Sequence, residues 1–178
     1  MNRFQDEFGV PSERARNKLV ARLDDYMMQF IRHSPFAVLA TADRDGHCDA
    51  SPRGGLPGFV KILDDKQLLL PDVRGNKLFQ SYQNIEGNRH VGLVFFIPGL
   101  ERTVRVNGAA TVIDRAGLAE RGVDRLEIFD PDELAALLQG LLVEVEEAYG
   151  HCSRSLSFSR LWDPETIQHN REDPPVRK

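Results

Sequence analysis

The chain has 178 residues, 23 basic and 27 acidic, with a formal net charge of −4. That length suits one domain, residues 1–178, and a domain of this size buries roughly 70% of its unfolded surface without staples. The mixed charge excludes the basic face that nucleic acid selects, and the two cysteines, Cys48 and Cys152, are too few for a disulfide framework.

The first residues, Met1-Asn2-Arg3-Phe4-Gln5-Asp6-Glu7, lack the apolar core of a signal peptide. The most apolar window, Val91 to Ile97, is too short to span a bilayer. The expectation is a cytoplasmic protein with no membrane segment and reduced thiols.

Residues 1–10 read as a loose arm. Pro11 and Ser12 open a helix to about His33, with Leu19, Leu23, Met27, Phe30 and Ile31 on one face, and Pro35 stops it. Strand signals follow at short spacing. Phe36 to Ala42 and His47 to Arg53 flank the hairpin-type turn Asp45-Gly46. Phe59 to Leu63 is the third strand and Gln67 to Leu70 the fourth. A helix then runs from Asn76 to about Ile85. His90 to Ile97 is the fifth strand, and Thr103 to Ile113 a long sixth with alternating apolar residues. Residues 114–139 read as short helices, with Pro131 in a first turn and Leu134, Leu137 and Leu138 inward. Leu141 to Tyr149 is a seventh strand and Cys152 to Arg160 a short helix. From residue 165 to 178 the chain reads as a polar tail without fixed structure. Many antiparallel strands with few helices between them predict a barrel or sandwich.

The segment Leu68-Leu69-Leu70-Pro71-Asp72-Val73-Arg74-Gly75-Asn76-Lys77 carries the strongest functional signal. It delivers Arg74, Asn76 and Lys77 to a helix start, where unpaired N–H groups and the positive end of the dipole favour an anion. Basic residues there oppose the dipole unless a phosphate sits among them; the competing reading is a solvated loop. Ser51-Pro52-Arg53-Gly54-Gly55-Leu56-Pro57-Gly58 lets a ligand approach the backbone, although a bulged or bent strand connection is the better explanation from these residues alone. His47-Cys48 and His151-Cys152 make poor metal pairs, because neighbours on a strand face opposite ways, so no metal is expected. No G-x-S-x-G nucleophile motif occurs. Trp162, the only tryptophan, reads equally as a clamp for the C-terminal segment or as a wall against a planar ring.

Taken in order, these pieces are a strand pair, S-P-R-G, P-G-F-V, a strand, P-D-x-x-G-N-K, a helix, a strand, L-E-R-x-V and R-V-N-G. That order resembles the pyridoxamine 5′-phosphate oxidase-related flavoproteins, the FMN-binding split-barrel group. The likeness runs from about Ser34 to Ile113 and resumes from Val143 to Pro164. There His151-Cys152 and Ser159-Arg160-Leu161-Trp162-Asp163-Pro164 are similar to the closing motif of one bacterial subgroup.

The resemblance implies a mainly β fold: a six-stranded antiparallel split barrel of Greek-key type, with an N-terminal helix and short helices after strands 4 and 6. It implies a homodimer with FMN in the cleft between subunits. Lys77 falls on the family's phosphate-binding lysine, Asn76 on its polar neighbour, and Arg74 adds a third donor. Leu70 and Pro71 fall where the fourth strand passes the flavin, and Arg53 and Lys61 near basic positions of the preceding strands. Thr103 stands where pyridoxamine oxidases carry a glutamine that reaches the flavin from the other subunit. The chain departs from the family at its end, with Arg160-Leu161-Trp162 in place of an R-L-H-type substrate motif, and with Arg154 and Phe158 where the subgroup has Lys and Arg. The expected function is an FMN-dependent oxidoreductase acting on a small-molecule redox substrate other than pyridoxamine phosphate, with no residue marked as a catalytic acid or base. The alternatives are a flavin storage or sensing protein, and a deazaflavin or haem ligand in the same barrel.

Overall fold

Alternating apolar residues arrange the chain around one antiparallel sheet. The computed structural model describes residues 2–75, 77–130, 135–151 and 154–176. The strands are β1 (Phe36–Ala42), β2 (Cys48–Gly54), β3 (Lys61–Ile62), β4 (Gln67–Val73), β5 (His90–Phe96), β6 (Thr103–Asp114) and β7 (Leu137–His151). They form one seven-stranded sheet in the order β2-β1-β5-β6-β7-β4-β3. The helices are α1 (Arg3–Phe8), α2 (Glu13–Arg16), α3 (Asp25–His33), α4 (Gln80–Gly87), α5 (Arg115–Glu120), α6 (Arg154–Ser159) and α7 (Pro164–Glu172).

The sheet wraps one buried cluster. Ala37 and Leu39 of β1, Leu93 and Phe95 of β5, Val104 and Val106 of β6 and Val143 of β7 pack there with Phe30 and Ile31 of α3. Strands β2 and β3 remain at the two free edges, which makes this a split barrel. Two faces of β4 are covered. Leu68 and Leu70 enter the main cluster, while Leu69 packs with Leu118, Val123 and Leu137 in a second one. A strand buried on both faces reads as a continuous apolar run rather than an alternation, which accounts for Leu68-Leu69-Leu70. Because β3 pairs only with Leu68 and Leu69, β4 has a partner on one side alone at Pro71, opposite Gly140. A residue without an N–H is tolerated there.

The β1–β2 hairpin turns as expected. Gly46 has φ 86°, and the Asp43 carboxylate accepts from the backbone N–H groups of Asp45 and His47, at 2.9 Å each. The His47 ring nitrogen Nδ1 lies 2.8 Å from the same carboxylate. These hydrogen bonds hold the Asp43 carboxyl below its ordinary range, the His47 side chain contributing most. The ligand atoms of Asp43, Asp45 and His47 are mutually close, but the Asp43 carboxylate and the His47 ring are already bonded to each other in the turn.

Several boundaries differ from expectation, each with a local cause. The seventh strand is part of the sheet, so the count is seven rather than six. The single helix expected to His33 is two, because Asp24 starts a new one by capping Met27 N at 2.8 Å. Between them Val20 pairs with Ala148 of β7 instead of turning helically, and Leu19 is exposed. Residues 3–8 form α1 rather than a loose arm, since Asn2 and Gln5 make a capping box. The third strand shrinks to Lys61–Ile62 because Phe59 and Val60 turn into the core. Leu137 and Leu138, expected on a helix, open β7. The expectations for Asn76, Pro131, Leu134 and Cys152 fall outside the described residues.

The polar tail forms helix α7 over Pro164–Glu172. Asp163 caps it by accepting from Thr166 N at 2.8 Å, and Pro164 sits in the first helical turn. The Thr166 side chain, its backbone N–H and Arg160, in that order, hold the Asp163 carboxyl low. A depressed pKa stabilises the fold above the unfolded value and ceases to do so as the pH falls through the folded one. Amide exchange at Thr166 is therefore expected to accelerate below about pH 4, relative to the amides of β6, and to do so far less in Asp163→Asn, which keeps the cap without the charge. An identical acid response in both proteins would remove Asp163 from this role.

None of the helices among the described residues is long and apolar enough to cross a membrane.

Candidate functional site

Alternate residues of a strand share a face, so β2 presents Asp49, Ser51 and Arg53 together. They line a cavity of about 260 Å³. Asp72, from the end of β4, and Ser81 and Tyr82, from the first turn of α4, close it. The connecting loop adds Gly75 and Lys77.

Hydrogen bonds fix most of these groups. The Arg53 guanidinium donates to Ser51 Oγ, to Pro52 O at 3.0 Å and to Ser81 Oγ at 3.3 Å. A guanidinium has five donors, so further ones stay available to a ligand. Ser81 Oγ donates to Asp49 Oδ2 at 3.0 Å, and Tyr82 OH to Asp72 Oδ2 at 2.8 Å. Burial first, and then the negative charge of Asp72, push the Tyr82 hydroxyl above its usual range. Tyr82 is thus a fixed neutral donor that pins one carboxylate. Among the described residues that line the cavity, Arg53 and Lys77 are the cations and Asp49 and Asp72 the carboxylates.

The loop reaches the cavity in an unusual conformation. Lys77 (φ 62°) and Phe79 (φ 53°) are both left-handed, and Phe79 is the N-cap of α4 without a capping side chain. Non-glycine residues adopt that region at a cost and cluster at ligand sites. Helix α4 therefore starts at Gln80, four residues later than expected, and Lys77 precedes it. The dipole acts within the first turn, so it does little for Arg74. That residue is exposed, its N–H donates to Ala136 O at 3.2 Å, and it does not line the cavity.

The other candidates lie elsewhere in the protomer. Lys61 donates to Gly58 O at 3.0 Å and lines a separate cavity beside Glu127. Leu70 is buried in the main core and Pro71 is buried beside it on β4. Thr103 is buried at the start of β6, opposite Phe96 and His151. Trp162 lines a cavity with Glu101, Ser157 and Arg160, where its Nε1 is buried without a hydrogen-bond partner among the described residues. Sequence reading missed Asp49, Ser81 and Tyr82, and named Ser51 and Asp72 only within longer segments. The period of two back from Arg53 along β2 would have found Ser51 and Asp49.

A split barrel with a two-cation cavity between its second strand and the helix after its fourth defines the class. The chain belongs to the pyridoxamine 5′-phosphate oxidase family, whose model matches residues 23–152. No curated protein matches it. Among solved structures it is similar to HupZ from Group A Streptococcus at 18% identity (TM-score 0.53, 74% of this chain and 95% of that one). It is similar also to a Clostridium acetobutylicum protein related to general stress protein 26, of the pyridoxinephosphate oxidase family, at 15% identity (TM-score 0.51, 70% and 84%). A conserved hypothetical protein from Mycobacterium tuberculosis is 15% identical (TM-score 0.52, 79% and 90%). At such identities these likenesses bear on the fold alone.

Proposed function

We propose that the protein binds FMN through the Arg53–Lys77 cavity and uses it in an oxidoreductase reaction, in the cytoplasm, on a small molecule other than pyridoxamine phosphate. The observation that carries this reading is the convergence of Arg53, from β2, and Lys77, from the loop before α4, on one cavity. Family membership makes a flavin the natural candidate, and the donor set fits its phosphate. Arg53 and Lys77 supply the positive charge. Ser51 and Ser81 orient the guanidinium, and Ser81 and Tyr82 engage the two carboxylates that would otherwise oppose an anion. In this reading Asn76 and Arg74 add donors from the same loop.

Size supports a dimer. About 260 Å³ lies below the roughly 300–1,000 Å³ of complete small-molecule pockets. It suits the phosphate and adjoining carbons, leaving the ring to extend past exposed Leu78 and Phe79. A second copy would provide the opposite wall, with Thr103 and Trp162 as its contributions, while Leu70, Pro71 and Lys61 support the ring side. When bound, FMN supplies the redox chemistry; the chain's own residues hold the phosphate and shape the space above the ring.

Purified protein stripped of flavin is expected to take up FMN with a perturbed visible spectrum and to run as a dimer in light scattering. A protein that binds no added FMN would overturn the reading, and a monomer that binds it tightly would overturn the shared site. Bound flavin that is reduced and reoxidised without turning over any donor would favour storage or sensing.

A further inference from the structure

A second cavity, about 530 Å³, lies where the segment around α2 crosses the end of β7. Arg14 of α2, Lys18 just after it, Arg102 just before β6 and His151, the last residue of β7, line it together with Tyr26 of α3. No acidic side chain is among the described residues that line it. Elsewhere in the chain Arg22 pairs with Asp65, Arg125 with Glu127 and Arg160 with Asp163. Arg14, Lys18 and Arg102 have no ion-pair partner among the described residues. In a chain of net charge −4, three unpaired cations facing one space are a concentrated positive field, and clefts focus such fields on anions. The FMN-phosphate cavity, by contrast, has a carboxylate for each cation.

The arrangement is also held in place. Val20 N donates to Ala148 O at 3.1 Å and Ala148 N to Val20 O at 2.7 Å, which pins the chain just after Lys18 to β7 just before His151. Ser12 caps α2 through Ala15 N at 3.2 Å. The His151 ring packs edge-on against Tyr149, with centroids 5.9 Å apart. Half-exposed Tyr26 adds an aromatic surface, and the volume falls in the range of metabolite pockets.

We infer that this cavity binds a small organic oxyanion carrying two or more negative charges, held by Arg14, Lys18 and Arg102 with His151 beside them. Phosphate esters and polycarboxylates share that chemistry. The two cavities have no residue in common within one protomer; Arg102 precedes Thr103 and His151 pairs with it, so FMN uptake is measured alongside.

Calorimetric titration with inorganic pyrophosphate, and separately with citrate, tests it on the wild type and on Arg14→Gln/Lys18→Gln/Arg102→Gln. All three positions are exposed, so the variant should fold, and its melting curve verifies this. At least one anion is expected to bind the wild type, and binding should weaken about tenfold or more in the variant and with added salt. FMN uptake should be unchanged in the variant, and Arg53→Gln/Lys77→Gln should keep the anion. Pyrophosphate binding alone assigns a phosphate ester, citrate alone a polycarboxylate. Binding of neither anion to the wild type, or equal binding by the folded triple variant, would overturn the inference. Loss of FMN uptake in the triple variant would overturn its assignment to a separate ligand.

Discussion

Replacing Arg53 and Lys77 together by glutamine is expected to weaken FMN binding at least about a hundredfold. A hydrogen bond to a charged group contributes about 1.5–3 kcal/mol, so two lost donors amount to about 3–6 kcal/mol, or roughly 10²- to 10⁴-fold in affinity. Partial exposure of Arg53 and the greater exposure of Lys77 pull toward the lower figure. The carboxylates pull the other way: with both cations gone, Asp49 and Asp72 still line the cavity and face a dianion without compensation. Lys77→Gln alone should cost about tenfold. Arg74→Gln should cost less, because Arg74 is not part of the cavity wall. Fluorescence titration of flavin-free protein measures all three. If the double variant bound FMN as the wild type does, the phosphate would have to sit elsewhere.

Gly108→Ala is expected to destabilise the fold by about 3 kcal/mol or more, against about 0.5 kcal/mol for Gly75→Ala. The register between β6 and β7 shifts at Asn107/Gly108, where Glu147 and then Val145 are the partners, so that Glu146 is the extra residue of a bulge. A Cβ on Gly108 would overlap the carbonyl oxygen of Glu144, and it also comes within 3.3 Å of Val145 Cα. Both obstacles are backbone atoms and cannot rotate away. The strands must part along the longest pairing in the sheet. At Gly75 a Cβ meets nothing within 4 Å. Urea unfolding of the two variants separates these outcomes, and equal midpoints would mean that the bulge tolerates a side chain.

The elements legible in the sequence are those whose burial follows one period. Strands β1, β5 and β6 begin and end within two residues of expectation, since each alternates over most of its length toward the main core. What the period could not convey was contact with distant chain. Leu137 and Leu138 follow no strand alternation because Leu137 packs under α5 while β7 continues past β4. The expected helix ran straight through Asp24, yet its carboxylate caps Met27 N and divides the helix. The candidate site was legible in half: Lys77 from its loop and Arg53 from the family resemblance. Ser81 and Tyr82 passed for ordinary helix residues, since only the approach of α4 to β2 and to the end of β4 gives them Arg53, Asp49 and Asp72 as partners.

The single tryptophan has a practical consequence. All indole emission from this protein originates at Trp162, whose cavity is walled by Gly99 and Glu101 and by the segment that leads from α6 into α7. Ultraviolet-excited fluorescence is therefore a local reporter of how the C-terminal segment seats against the barrel, and the cores around Phe95 and Leu69 contribute nothing to it directly. A melt followed at that wavelength and one followed by far-ultraviolet dichroism should coincide only when the terminal helices and the sheet come apart in the same step.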